Sequence, residues 1–249
     1  MLVSIPLDPT VFFTALVRHW LTMMVQRSLG FSSTPYPCIG HYRFLNLTLL
    51  THPLYESILS RLKSNPEAQY LDLGCCFGQD LRQLVLDGVP STQLTGIDIE
   101  GPLMELGYGL FLDRKSLKSK FLVADIFKGE IDIEADVVHC SAFFHLFPLP
   151  QQIEAAKIIA RLVRKGGIIV GRQSGSVKPG EVPAIKEGST SFRHDVTTLT
   201  EMWDQVGQET GTKWSVDGHL DEVGIDTTKK NAVEDENSRR LLFTITREE

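Results

Sequence analysis

The run YLDLGCCFGQD, Tyr70 to Asp80, ends an apolar stretch on Asp72 and passes at once into a loop that holds Gly74 and Gly78 around the vicinal pair Cys75 and Cys76. A strand that ends in a glycine-rich turn and opens a helix offers unpaired N–H groups and a closely approachable backbone to a nucleotide or other anion. Two more acids close the next two apolar runs, Asp98 in LTGIDIE and Asp125 in FLVAD, at intervals of 26 and 27 residues. A carboxylate at the second position, with Ile99 after it, can accept from both hydroxyls of a ribose. One at the third can accept from the amino group of an adenine while Ile126 packs against the ring.

Spacing separates the two cofactor classes that use such a loop. The dinucleotide pattern G-x-G-x-x-G, started at Gly74, needs glycine at 76 and 79, where Cys76 and Gln79 stand. The pattern acid-x-G-x-G-x-G, started at Asp72, finds Gly74, Cys76 and Gly78, so the one miss is a small side chain. The cofactor indicated is S-adenosylmethionine. The competing explanation is that each acid caps the helix after it, which is harder to sustain for three acids in register with one loop.

The elements that must position these residues follow a β/α alternation. Short apolar runs (QYLDLG, LTGIDI, KFLVAD, ADVVHCSAF and GGIIVGR) are separated by helical stretches. QDLRQLVLDG puts Leu81, Leu84 and Val85 on one helix face, and QQIEAAKIIARLVRKGG does the same with Ala155, Ile159, Leu162 and Val163 before a glycine pair. Runs buried on both faces imply a parallel sheet covered on both sides. Upstream, Leu54, Ile58, Leu59 and Leu62 share a helix face. Downstream, the segment from Gln173 reads as irregular, followed by a helix near VTTLTEMWDQVGQETG and the strands KWSVDGHL and LLFTITRE. Asp221 to Ser238 reads as a flexible acidic excursion between those strands.

Composition narrows the partners. A net charge of -6 gives no broad positive field for nucleic acid, and the basic run DRKSLKSK, Asp113 to Lys120, reads as a solvated loop. The stretch Val11 to Val25 is apolar but carries Arg18 and His19 and is too short for a span. It reads as an amphipathic helix that serves as lid, packing element or homodimer contact. Cys38, Cys75, Cys76 and Cys140 lack the spacing of a zinc site, so no metal is expected and a reducing, cytoplasmic setting follows.

Taken together, these residues resemble the class I S-adenosylmethionine-dependent methyltransferases, from about Tyr36 to Glu249. The resemblance implies an α/β fold with a doubly wound, mostly parallel seven-stranded sheet and an antiparallel C-terminal hairpin, as a domain over 41–249 behind an N-terminal extension over 1–40. The segments PYPCIGHYRFLNL, LDLGCCFGQDLRQLVLDGVP, GRQSGSVKPGE and FRHD look like those of small fungal methyltransferases of meroterpenoid pathways, some of which methylate the carboxylate of a farnesylated aromatic acid. That implies O-methylation of a carboxylate or a phenol on a small molecule. The first thirty residues show no family pattern.

For a carboxylate acceptor no base is required, and an orienting cation or donor matters most: Arg172, Gln173, Arg193 and His194 are candidates. For a phenol, His145 is the candidate base. His139, inside the fourth apolar run, reads as a hydrogen-bonded core residue. Phe143, Phe144 and Phe147 read as core or as an aromatic lining for a prenylated acceptor. The resemblance further places Tyr42 and Arg43 over the cofactor, where Arg43 either meets its carboxylate or forms a salt bridge to another loop. A methyltransferase-like protein that binds the cofactor without transferring methyl is the alternative from another class.

Overall fold

The computed structural model describes residues 43–129, 131–184, 188–222 and 235–249 of the chain. The expected N-terminal helix, the 1–40 extension with its lid or dimer role, Cys38, Tyr42 and most of the acidic excursion lie outside the described residues. In chain order the elements are α1 (Tyr55–Ser64), β1 (Tyr70–Leu73), α2 (Gln79–Leu86), β2 (Leu94–Asp98), α3 (Gly101–Phe111), β3 (Lys120–Val123), β4 (Ala135–His139), α4 (Leu149–Leu162), β5 (Val163–Ser176), β6 (Gly180–Pro183), β7 (Thr190–Arg193), α5 (Val196–Thr210), β8 (Trp214–Asp221) and β9 (Ser238–Arg247). Short 3-10 turns cover Arg43–Leu45, Ser91–Gln93 and Phe144–Leu146.

Seven strands form one sheet in the order β3-β2-β1-β4-β5-β9-β8. Strands β1 to β5 run parallel, and β9 lies antiparallel between β5 and β8, which is the expected architecture. The central strands β1 and β4 are buried along their whole length, as strands covered on both faces must be. On one face Tyr70, Val137 and Val170 pack with Ile58 and Leu62 of α1 and Leu81 and Leu84 of α2. On the other, Leu71, Val138 and Ile169 pack with Ala155 and Ile159 of α4 and Leu199 and Trp203 of α5. Each large apolar side chain so buried contributes about 1.5 to 3 kcal/mol. Asp195 and Thr198 make a capping box that starts α5, and Gly211 ends it in the left-handed region, φ 68°.

Several elements depart from the sequence reading. Helix α4 stops at Leu162, and the glycine pair Gly166-Gly167 lies inside β5, where the pairing with β4 shifts register between Ala135 and Val137. Gln173 to Ser176, expected to be irregular, continue β5 because β9 supplies partners as far as Ser176–Ser238. The polar segment beyond forms a separate antiparallel pair, β6 with β7. Strand β3 is not buried on both faces: it is the sheet edge, with Leu122 and Val123 exposed. Among the described residues, no helix is long and apolar enough to cross a membrane.

Candidate active site

The carboxyl ends of β1, β2 and β3 bring the glycine loop and the acids to one edge of the sheet, where an open α/β sheet has its crevice. The loop leaves β1 through Gly74 (φ 75°), Cys76 (φ 54°) and Gly78 (φ 68°), all left-handed. Cys76 therefore occupies a conformation that favours glycine and costs a side-chain-bearing residue about 1 to 2 kcal/mol. It is held there by its own N–H, which donates to Asp98 Oδ2 at 2.8 Å. Gly74 N–H and Cys75 N–H donate to the Ile97 carbonyl, and Gly78 N–H to the Cys75 carbonyl. Cys75 points into the core, and burial pushes its thiol well above its ordinary range. Neither fact suits a nucleophile.

Asp98 accepts from Cys76 N–H on one oxygen and from Glu100 N–H on the other, at 2.8 and 2.9 Å. Burial raises its pKa, and these two N–H groups work against the shift. A carboxylate has about four acceptor positions, so two are left for the two hydroxyls of a ribose. Ile99 beside it is exposed. Asp125 lies two residues beyond the end of β3 and accepts from Phe127 N–H, with Lys128 at 3.1 Å. That backbone N–H, then Lys128, holds its pKa below the usual value. Its carboxylate thus braces a local turn, and since no helix lies between β3 and β4 among the described residues, it is not a helix cap. Ile126 is 8% exposed and packs in the core. Asp72 caps no helix, since the residue before α2 is Gly78.

Asp72 meets His139 instead. The two are paired across β1 and β4, and His139 Nδ1 lies 3.1 Å from Asp72 Oδ1. On the far side of the ring, Nε2 is 2.9 Å from both Thr48 Oγ1 and Ser141 Oγ. Asp80, at the start of α2, is buried nearby and accepts from Leu49 N–H. Burial works against a charge on His139, but Asp72 and Asp80 outweigh it and the pKa is raised. His139 is thus the hydrogen-bonded core residue expected, with a partner that its sequence position does not signal.

The acceptor-side candidates separate. Arg172 lies two residues beyond Val170, which pairs with His139, so it shares the face of Asp72 and His139. Its charge acts on His139 against protonation. Gln173 faces the opposite way, 3% exposed, and neither atom of its amide has a hydrogen-bond partner among the described residues. Arg193 is buried and donates to the His145 carbonyl. His194 is fully buried, its ring nitrogens facing Thr198 Oγ1 and Gln152 Oε1. Burial pushes its pKa down to about 4. His194 braces the loop before α5 and is not brought to the crevice.

His145 sits half-buried in the turn after β4. Phe144 is core, whereas Phe143, Phe147 and Phe127 meet edge to face at 5.2 to 5.4 Å, with Phe127 exposed. A Cβ on Gly74 would lie 3.9 Å from Phe143, which sets this aromatic group beside the loop. Arg43 begins the first 3-10 turn, and its side chain is outside what is described. The cradle fits S-adenosylmethionine. Its backbone turns through the left-handed region at Gly74 and Gly78, and Asp98 retains acceptors for a diol.

Comparison with known proteins agrees with this geometry. Residues 71–167 match the model of a methyltransferase domain. The O-methyltransferase phiE of Fungal sp. (strain ATCC 74256) is 40% identical over 93% of this chain and 83% of its own length. The Asnovolin E/Chermesin D methyltransferase nvfJ of Aspergillus novofumigatus is 40% identical over 77% of this chain and 71% of its own. A solved Burkholderia thailandensis 1,6-didemethyltoxoflavin-N1-methyltransferase, with S-adenosylhomocysteine bound, shares the fold with a TM-score of 0.57 at 12% identity, over 99% of this chain and 94% of that one. The loop, the acids and these relatives lead to one conclusion: the chain belongs to the S-adenosylmethionine-dependent methyltransferases and methylates a small molecule, alongside fungal O-methyltransferases of secondary metabolism.

Proposed function

We propose that the chain O-methylates a carboxylate on a small aromatic or prenylated acid, in a cytoplasmic, meroterpenoid-like fungal pathway. When bound, S-adenosylmethionine supplies a methyl group on a sulfonium centre. Asp72, Gly74, Cys76 and Gly78 form its cradle, Asp98 with Ile99 receives the ribose, and Asp125 with Ile126 closes the adenine end. Tyr42 and Arg43 are assigned to the cofactor by the family resemblance. The protein's work is to align the acceptor oxygen and exclude water.

The observation that supports a carboxylate over a phenol is the placement of Arg172, which the register of β4 and β5 sets on the face of Asp72 and His139. His194, buried with both ring nitrogens engaged, is not available to orient an acceptor. Arg172, on the Asp72 face, is a cation suited to orienting an acid that is already ionised. Gln173 is a neutral reader of the acceptor, and Phe127, Phe143 and Phe147 suit an apolar body. His145 is the base that a phenol would need.

The test is to supply S-adenosylmethionine with pairs of aromatic acids and matching phenols, follow S-adenosylhomocysteine, and treat the product with mild alkali. A methyl ester is cleaved and an aryl ether survives. Turnover confined to phenols, with an alkali-stable product, would overturn the carboxylate reading.

A further inference from the structure

Arg82 is a charged residue at a buried position of α2, 5% exposed. Its guanidinium forks onto Asp113, Nε donating to Oδ2 at 2.6 Å and Nη2 to Oδ1 at 3.0 Å. The remaining nitrogen, Nη1, donates to two carbonyls of the glycine loop, Phe77 at 2.6 Å and Gly78 at 3.2 Å. The guanidinium also lies over the rings of Phe111 and Tyr108, at 4.6 and 5.4 Å. Asp113 belongs to the run DRKSLKSK, which by charge alone reads as a solvated loop. Its carboxylate is 19% exposed and its carbonyl closes the turn to Ser116 and Leu117.

We propose that Arg82, anchored by Asp113, is a positioning residue for cofactor binding. It holds the Phe77 and Gly78 carbonyls on the side of the loop away from the crevice. In a trans peptide the N–H of Gln79 points opposite the Gly78 carbonyl, so fixing that carbonyl fixes the first N–H of α2. The grip is tight: a Cβ on Gly78 would lie 2.8 Å from Arg82 Nη1 and 2.6 Å from the Phe121 ring. Only a planar fork can pair bidentately with a carboxylate and still present a third nitrogen to two carbonyls, so lysine does not replace it. The clamp thereby ties the α3–β3 connection to the loop. The proposal rests on the reading of that loop as the cofactor cradle.

The experiment is calorimetric titration of S-adenosylhomocysteine into wild type, Arg82→Lys, Asp113→Asn and the double variant, well below each thermal midpoint. Asp136→Asn serves as control. It breaks the ion pairs of Asp136 with Arg61 and Arg164 at the amino end of β4, away from the loop at the carboxyl ends of the strands. Arg82→Lys and Asp113→Asn should each raise the dissociation constant about tenfold or more, and the double variant should be no worse than the weaker single. Asp136→Asn should lower the midpoint and leave the dissociation constant unchanged. Should folded Arg82→Lys or Asp113→Asn bind within twofold of wild type, the clamp only stabilises the fold and the proposal falls. Failure of wild type itself to bind would sink the cradle reading instead.

Discussion

Cys76 donates its amide N–H to Asp98 Oδ2 at 2.8 Å from a left-handed backbone, φ 54°. The contact is made by backbone, and the thiol takes no part in it. Cys76→Gly and Cys76→Ala are therefore expected to keep S-adenosylhomocysteine affinity within a few fold. Asp98→Asn, which replaces a charged acceptor by a neutral amide, should weaken it by roughly 1.5 to 3 kcal/mol. Titration calorimetry on the three variants checks the order. Loss of binding in Cys76→Ala with retention in Asp98→Asn would refute this account of the loop.

Gly74 and Gly78 both have positive φ but differ in surroundings. A Cβ on Gly74 meets Phe143 at 3.9 Å, an ordinary contact, whereas on Gly78 it meets Phe121 at 2.6 Å and Arg82 at 2.8 Å. Gly74→Ala carries mainly the conformational cost of about 1 kcal/mol. Gly78→Ala carries that cost plus displacement of the Arg82 clamp. The expected result is a clear loss of cofactor affinity for Gly78→Ala and a smaller one for Gly74→Ala, measured by the same titration.

Gln173 buries an amide with no partner among the described residues, and such groups cost about 1 to 3 kcal/mol. Gln173→Met keeps the length and removes both polar atoms. We expect its denaturation midpoint to rise while the KM for the acceptor also rises, the pattern of a residue kept for binding at the expense of stability. A higher midpoint with unchanged acceptor kinetics would remove Gln173 from the acceptor site.

His194 makes stability depend on acid. Its folded pKa of about 4 lies below the ordinary 6.5, so between those values the unfolded chain takes up a proton that the native state does not. Stability therefore falls as pH drops from 6.5 towards 4, by about 3 kcal/mol from this group. His139 acts in the other direction. Its raised pKa gives a contribution that is full below pH 6.5 and fades as pH rises through the folded value. Urea unfolding of His194→Gln at pH 7, 5.5 and 4.5 should show a shallower acid loss than wild type. An identical slope would show that His194 is not held neutral.

Much of the fold was legible in the chain. Short continuous apolar runs mark strands covered on both faces and longer amphipathic stretches mark helices, so β1, β2, β4 and α5 follow from Tyr70–Leu73, Leu94–Asp98, Ala135–His139 and Val196–Thr210. Gln173 to Ser176 were misread because their strand character comes from β9, more than sixty residues on. Glycine and serine there carry no pattern of their own.

What the sequence determined by itself is the cofactor and its edge of the sheet: a loop with glycine or a small residue at 74, 76 and 78, and acids placed to close successive strands. These are local properties, set by backbone conformation and strand length. Which polar groups then meet was decided only by the tertiary structure. Register across β1 and β4 joins His139 to Asp72, and the packing of α2 on the α3–β3 connection joins Arg82 to Asp113. The close of β7 against the turn before α4 buries His194 beside Gln152. A polar side chain does not announce its partner in a single sequence, because the partner is chosen by how distant elements pack.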